Sequence, residues 1–396
     1  MSTQFRFSMV NAHTPDGRAA PKQATGVPGP QKLQSVQALR GLAAFLVLLY
    51  HTAAVQQSEV SPDNAAEMGY LTGFWDQGFA GVDMFFVISG FIMVYITRNY
   101  VRSVSGWLGF FYARITRIYP LWWVFAGIMA VYFLVVYGQP ASPKIIQPGQ
   151  VGPHLVQSFL LLPQKTFPVL SVGWTLVHEV FFYVIFGGLL LFGARWRPWF
   201  MAVWAGLVVA MAFAIGSPRE SATFFELLIS PLALEFLAGA LIGYLVIKPV
   251  KIPAVPVTVI SGLALALALF IGIDVMSPHL TWHRVLVYTL PCAGLMWGLV
   301  TLECSGRICL PKWTGAIGDA SYSLYLSHIF VLRGLIMAWS GASTHLPESL
   351  QFTGPGMIDN VLFAIVGISA SIIFSLIVYR LVEKPALNLA RKFRPG

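Results

Sequence analysis

One apolar segment near the start of the chain carries two side chains that rarely lie in hydrocarbon. The stretch ALRGLAAFLVLLYHTA, residues 38–53, contains Arg40 and His51. At about 100° per residue, their spacing puts both on one face of a helix, about 16 Å apart along its axis. Lipid tolerates such a stripe poorly, so we expect it to face protein or a water-filled passage. Two structural alternatives stay open: Arg40 as an interfacial anchor and His51 as a partner in a buried hydrogen bond.

A pair of arginines could recognise phosphate. In FYARITRIYPLWW, residues 111–123, Arg114 and Arg117 are three positions apart and therefore neighbours on one helical face. Paired guanidinium groups suit a phosphate-bearing ligand, because each forms charge-assisted bidentate hydrogen bonds. The alternative is an anchor that contacts lipid headgroups at the membrane surface.

Two acidic residues interrupt other apolar segments. Asp83 lies in GVDMFFVISGFIMVY, where a buried carboxylate needs a partner. Ser89 and Gly90 in the same stretch also suit plain helix packing. In SVGWTLVHEVFFYV, Glu179 directly follows His178. Consecutive helical side chains point about 100° apart, so only one of the two faces a given pocket squarely, and we favour Glu179.

A polar stripe recurs in GDASYSLYLSHIFVLRG near the end of the chain. Ser321, Tyr325 and His328 follow the i, i+4, i+7 spacing of one helical face, and Arg333 comes further along. Such a stripe either lines a site or hydrogen-bonds neighbouring helices.

Residue counts from the ends of the apolar segments give the depth of each polar group. His51, Asp83, Glu179 and Arg333 all fall in the outer half of the membrane. The sequence therefore predicts that these four residues converge on one polar pocket.

The surrounding sequence is that of a membrane protein. Of the 396 residues 57% are hydrophobic and 10% are charged, which excludes an ordinary soluble globule. We predict an all-α polytopic membrane protein in which about ten transmembrane helices form one bundle. The predicted spans cover residues 37–55, 79–97, 118–137, 172–193, 197–216, 224–247, 255–274, 283–302, 318–339 and 358–382.

Basic residues give the bundle an orientation. If the spans alternate in direction, most Lys and Arg fall on the side of the N-terminus, so the positive-inside rule predicts that both termini are cytosolic. We expect a multi-pass protein of the bacterial cytoplasmic (inner) membrane. The net charge of +9 then reflects this topology, and no nucleic acid is expected as a partner. Residues 1–36 are predicted to be a disordered cytosolic tail and 385–396 a basic cytosolic tail.

Common metal and nucleotide motifs are missing from the sequence. The eight histidines and three cysteines show no metal-ligand spacing, so no metal is expected. No Walker or dinucleotide glycine loop occurs.

Several segments together resemble the membrane acyltransferase-3 family. LRGLAAFLVLLYH is similar to its Arg-x10-His segment and GVDMFFVISGF to its second-span signature. RITR matches its Arg-x-x-Arg element, SVGWTLVHEVFFYV its Trp-x-Leu-x-x-Glu element, and GDASYSLYLSH its late Ser-Tyr and His element. The resemblance covers about residues 33–390 and is nearest to standalone exopolysaccharide O-acetyltransferases. It implies that residues 37–384 form an acyltransferase transmembrane domain.

This resemblance implies transfer of an acetyl group from cytosolic acetyl-CoA to a hydroxyl of an exopolysaccharide or its lipid-linked oligosaccharide precursor. It marks Arg40, His51, Asp83 and Glu179 as catalytic candidates. The partners it implies are acetyl-CoA, a carbohydrate acceptor and the lipid bilayer, with polysaccharide assembly machinery as a further candidate. Arg114 and Arg117 become candidates for the CoA phosphates. The candidates for the substrate pocket are Ser89, Trp174, Tyr325, His328 and Arg333.

Transfer from a thioester needs a base for the acceptor hydroxyl. His51 suits that role, since imidazole titrates near neutral pH, and Glu179 or Asp83 could orient it. Alternatively, His51 carries the acetyl group as a covalent intermediate. The rival interpretation is a polytopic transporter of a carbohydrate or lipid-linked carbohydrate, because intramembrane charges fit that class too.

Overall fold

The computed structural model describes residues 32–60, 71–144, 146–218, 222–272, 280–342, 345–352 and 357–394. The predicted N-terminal tail lies mostly outside these ranges. Its last residues, from Gln34 onward, already belong to the first helix, so the tail ends earlier than residue 36. From Leu33 onward the chain forms one structural unit.

The described residues are helical, with short 3-10 turns between some helices and no strand. The helices, in chain order, are α1 Gln34–Gln57, α2 Ala80–Ile96, α3 Val104–Tyr137, α4 Val151–Leu160, α5 Trp174–Leu189, α6 Arg197–Ile215, α7 Phe224–Leu228, α8 Ala233–Ile247, α9 Ala254–Ile271, α10 Leu280–Cys304, α11 Lys312–Asp319, α12 Ser321–Gly341, α13 Ile358–Val378 and α14 Lys384–Lys392.

Nine of the helical segments in the described ranges are long and apolar enough to cross a membrane. The sixth predicted span, 224–247, is wrong as a single helix, because it divides into α7 and α8 around Pro231. Proline lacks the N–H that a continuous helix needs at that position. With 15 residues, α8 is about 22 Å long, shorter than a bilayer core of about 30 Å.

Three other predicted boundaries need correction. Helix α3 begins at Val104, so its arginine pair lies within a 34-residue helix and not ahead of a span at residue 118. Helix α10 begins at Leu280, three residues before the predicted span 283–302, so Arg284 lies within the helix and not at its start. The predicted C-terminal tail is helical through Lys392 and docks on α3, where the Tyr112 hydroxyl donates to the Ala390 carbonyl at 2.9 Å.

Helix α2 lies at the centre of the bundle and packs against α1, α8 and α10. Gly90 and Gly239 allow the close approach of α2 to α8. A Cβ at either position would lie 1.9 Å from a carbonyl oxygen of the facing helix. Small residues permit such backbone contact between membrane helices. This contact fixes the position of Ser89 beside Gly90.

The long connection from α3 to α5 is not a plain loop. Its helix α4 docks on α3 through indole hydrogen bonds, from Trp122 to the Ser158 carbonyl at 3.1 Å and from Trp123 to the Phe159 carbonyl at 3.0 Å. These bonds hold the C-terminal end of α4 against the middle of α3.

Candidate active site

A cavity of about 270 Å³ lies among α1, α2, α3, α5 and α12. We call it the arginine cavity. Seven of the residues singled out from the sequence contribute to its wall. These are Arg40, Ser89, Arg114, Arg117, Glu179, Ser321 and Tyr325. The cavity therefore unites three guanidinium groups with one carboxylate inside a largely apolar bundle.

The three arginines differ in how their charge is balanced. Arg117 pairs with the buried carboxylate of Glu383, which also accepts a hydrogen bond of 2.5 Å from the Ser323 hydroxyl. Among the described residues neither Arg40 nor Arg114 forms an ion pair. Because Glu383 balances the charge of Arg117, Arg40 and Arg114 remain as two unpaired cations in the cavity wall.

Glu179 is held by two hydroxyl groups. The Ser89 hydroxyl donates to its Oε1 at 3.0 Å, and the Tyr183 hydroxyl, one helical turn along α5, donates to the same oxygen. The Arg114 guanidinium lies 5.8 Å from the Tyr183 ring centre, so aromatic and carboxylate groups both face this cation. His178 does not line the cavity, in keeping with the angle between consecutive helical residues.

His51 and His328 lie side by side, with ring centres 4.8 Å apart. Nδ1 of each ring meets the backbone carbonyl four residues earlier, Val47 for His51 and Leu324 for His328, at 2.9 Å in both cases. A carbonyl only accepts, so Nδ1 carries the hydrogen and Nε2 of each neutral ring keeps its lone pair. Nε2 of His328 is buried without a hydrogen bond to the described residues. Nε2 of each ring therefore carries the free lone pair.

A second cavity, of about 860 Å³, lies between α3, α12 and the connection that contains α4. We call it the aromatic groove. Its wall includes Tyr132, Tyr137, Arg333 and Lys144. His154 also lines it, and burial lowers the pKa of this histidine, opposed by a hydrogen bond with Gln164. The imidazole is thus neutral at neutral pH and adds no charge to the groove.

Asp83 takes part in neither cavity wall. It is fully buried and accepts a hydrogen bond of 2.7 Å from Nε of Arg284, with which it forms an ion pair. The guanidinium of Arg284 also lies 5.6 Å from the ring centre of Trp174. The ion pair thus braces the N-terminus of α5, the helix that carries Glu179. Sequence reasoning missed Arg284 because its helix was predicted to begin one residue before it.

The prediction that His51, Asp83, Glu179 and Arg333 share one pocket is wrong. Glu179 lines the arginine cavity, Arg333 lines the aromatic groove, and Asp83 is held by Arg284. His51 lies against His328 and lines neither. Residues at equal depth can face different helices, and depth alone does not fix lateral position.

Helix α12 connects the three features. Tyr325 lines the arginine cavity, His328 contacts His51, and Arg333 lines the aromatic groove. At about 1.5 Å per residue, His328 lies about 4.5 Å along the helix axis from Tyr325 in the arginine cavity and about 7.5 Å from Arg333 in the aromatic groove. Within the described residues no cluster of His, Cys, Asp and Glu could hold a metal ion.

Such a bundle defines a multi-pass membrane protein with a cavity on either side of a pair of contacting histidines. The profile of the family described as an acyltransferase domain matches residues 33–380, so the chain belongs to the acyltransferase-3 family and is an acyltransferase. This membership bears out the family resemblance of the sequence motifs and argues against the transporter interpretation.

Two relatives extend this finding. The chain is 31% identical to the exopolysaccharide production protein ExoZ of Rhizobium meliloti (strain 1021) over 334 residues, which cover 80% of this chain and 92% of that protein. It is 28% identical to protein 2 in the picA locus of Rhizobium radiobacter over 165 residues, 38% of this chain and 78% of that protein. No solved structure matches the chain significantly.

Proposed function

We propose that this acyltransferase moves an acetyl group from acetyl-CoA to a hydroxyl of an exopolysaccharide or of its lipid-linked oligosaccharide precursor. The observation that carries the proposal is the order of features along α12, where a histidine pair separates a cationic cavity from an aromatic groove. The similarity to a protein named for exopolysaccharide production supports the acceptor class.

The arginine cavity suits the donor. Its volume of about 270 Å³ is too small for all of acetyl-CoA, but it has room for the slender pantetheine arm and its thioester. The unpaired guanidinium groups of Arg40 and Arg114 attract the phosphates of CoA, and Arg117 adds hydrogen-bond donors while Glu383 balances its charge. The positive-inside rule makes this end of the bundle cytosolic, where acetyl-CoA occurs.

Direct transfer needs one base. As the acceptor oxygen attacks the thioester carbonyl, Nε2 of His51 takes the hydroxyl proton, the C–O bond forms and the C–S bond breaks. The leaving thiolate takes this proton from Nε2 of His51 and departs as the thiol of CoA, which restores the neutral ring. The Nδ1 hydrogen bond of His51 to the Val47 carbonyl holds the ring in the tautomer that this step requires.

A covalent route uses the same nitrogen as nucleophile. Nε2 attacks the thioester, an N–C bond forms as the C–S bond breaks, and the thiolate of CoA leaves with a proton from solvent. The acceptor hydroxyl then attacks the acetyl-imidazole: a C–O bond forms as the N–C bond breaks, and the hydroxyl proton is released to solvent. His328 stays beside the ring in either route and is the second candidate base.

The test measures acetyl transfer and acetyl-CoA hydrolysis by purified protein. We expect His51→Ala to lower transfer at least about 100-fold, the usual contribution of a general base or more, with folding retained. His345→Ala, which removes an exposed histidine outside both cavities, serves as control. Near-normal transfer by folded His51→Ala would contradict both routes.

Radiolabelled acetyl-CoA separates the two routes. Label that stays on the protein in the absence of acceptor, and that is missing from His51→Ala, indicates the covalent route. Rapid transfer with no trapped label indicates direct attack.

A further inference from the structure

The aromatic groove lies at the opposite end of the bundle from the arginine cavity. Helices α1, α3 and α12 all begin near the arginine cavity and end near the groove: Arg40, Arg114 and Tyr325 line the first, and Glu59, Tyr137 and Arg333 line the second. In each case the groove residue comes after the cavity residue in the chain, either further along the same helix or, for Glu59, just beyond the end of α1. The groove therefore opens toward the other face of the membrane.

Aromatic rings on the groove wall are left uncovered. Tyr132 and Tyr137 are each 41% exposed and Phe167 is 56% exposed, although all three line the groove. Exposed tyrosines combine a flat apolar face with a hydroxyl group, the combination on which sugar rings stack and hydrogen-bond. These rings suit a saccharide better than a purely aliphatic ligand.

The groove also carries an excess of positive charge. Arg333 and Lys144 are exposed and form no ion pair with the described residues. Among the residues of the wall that the structure describes, the only carboxylate is that of Glu59, which accepts a hydrogen bond of 3.1 Å from the Ser340 hydroxyl. Uncompensated cations in a membrane-protein groove indicate an anionic ligand.

The flanks of the groove are apolar and exposed. Ile128 on α3 is 48% exposed and Met337 on α12 is 61% exposed, and both line the groove. They continue into the exposed apolar face of α3, where Val131 is 59% and Val135 is 79% exposed. A ligand in the groove can therefore extend a hydrocarbon chain along the bundle surface.

We propose that the aromatic groove binds the acceptor as a saccharide joined through a diphosphate to a lipid. The diphosphate binds Arg333 and Lys144, the sugars adjacent to it stack on Tyr132 and Tyr137, and the lipid chain follows the apolar flank. This assignment rests on the proposed function and makes it more specific, because it names the lipid-linked precursor, and not the finished polymer, as the acceptor.

The position of the aromatic groove beside the histidine pair favours a saccharide acceptor as its ligand. Ile329 and Phe330, which follow His328 directly in the chain, line the groove. A saccharide held there brings its hydroxyl groups next to the histidine pair, on the side away from the donor. A phospholipid headgroup satisfies the two cations equally well, but it leaves the aromatic wall unused.

The test compares two forms of one acceptor. The lipid-linked saccharide fraction is extracted from producing cells, and half of it is hydrolysed with mild acid to release the phosphate-free saccharide. The variant Arg333→Gln with Lys144→Gln removes both cations. The control variant, Lys251→Gln with Arg307→Gln, removes two exposed cations outside the groove.

We expect the groove variant to raise KM for the lipid-linked acceptor at least tenfold, with kcat/KM for the phosphate-free saccharide and acetyl-CoA binding unchanged. The control variant behaves as the wild type. Equal losses with both acceptors, or wild-type protein that prefers the phosphate-free saccharide, would overturn the proposal. If the wild type neither binds nor hydrolyses acetyl-CoA, the proposed function itself fails, which is a separate result.

Competition identifies the phosphate source. Polyprenyl diphosphate added to protein in phosphatidylcholine vesicles should inhibit transfer to the lipid-linked acceptor. Phosphatidylglycerol at the same concentration should not. Equal inhibition by the two lipids would make the groove a general anionic headgroup site and overturn the assignment.

Discussion

At the scale of single residues, the charge of the arginine cavity depends on where two carboxylates lie relative to its three arginines. Glu383 neutralises Arg117 from outside the cavity, while Glu179 faces into it with Ser89 and Tyr183 as donors. Unpaired Arg40 and Arg114 therefore meet one internal carboxylate. The balance attracts an anion without burying an uncompensated cluster of cations.

The substitution Glu179→Gln tests this balance of charge in the arginine cavity, because it removes a negative charge and leaves the shape of the side chain nearly unchanged. The amide oxygen can still accept from Ser89 and Tyr183, but the negative charge is gone, so we expect kcat for acetyl transfer to fall about tenfold or more. Tyr183→Phe keeps the charge and the Ser89 donor, and we expect a fall of less than about threefold. Steady-state kinetics on both variants, with thermal unfolding in detergent, measures the difference. A smaller effect for Glu179→Gln than for Tyr183→Phe would contradict a role for the charge.

At the scale of elements, α1 depends on a cap that comes from another helix. Glu303, on α10, accepts from the backbone N–H of Gln34 at 2.7 Å and of Ser35 at 2.8 Å, and from the Ser35 hydroxyl at 2.5 Å. A carboxylate at a helix N-terminus satisfies free N–H groups and interacts favourably with the helix dipole. The cap fixes the start of the helix that carries Arg40 and His51.

Removal of this cap should destabilise the bundle. For Glu303→Ala we expect a loss of about 1–2 kcal/mol, the usual cost of an N-cap, seen as a lower Tm in detergent. Glu348→Ala removes an exposed glutamate elsewhere and should leave Tm unchanged. An unchanged Tm for Glu303→Ala would show that α1 does not depend on this contact.

At the scale of the whole molecule, function depends on which cavity faces the cytosol. The proposal requires the arginine cavity at the cytosolic end, with the aromatic groove on the other side. Cys309 provides a natural probe, because it is exposed in the segment between α10 and α11, at the end of the bundle where α1 begins. Cys292 is buried within α10.

We expect a membrane-impermeant maleimide to label Cys309 in inside-out vesicles and not in right-side-out ones. The experiment uses Cys304→Ser protein so that Cys309 is the exposed thiol, and the double variant with Cys309→Ser serves as the unlabelled control. Labelling confined to right-side-out vesicles would invert the orientation and contradict a cytosolic donor cavity.

Residue types and their spacing predicted much of the site. Arg40, Arg114, Arg117 and Glu179 stood out as charges inside or beside apolar segments, and the structure brings all four to one cavity. Helix geometry alone predicted that Arg114 and Arg117 share a face. Their common cavity was not predicted, because the helices that bear these groups are far apart in the chain.

The sequence by itself determined the helical class, most of the spans and the family, because hydrophobic runs and local motifs depend on nearby residues. Only the tertiary structure decided which polar side chains meet: Asp83 with Arg284, Arg117 with Glu383, and His51 with His328. Each pair joins helices distant in sequence, so its formation depends on lateral packing. Depth along a helix is set by residue count, whereas the facing neighbour is set by close contacts such as those at Gly90 and Gly239.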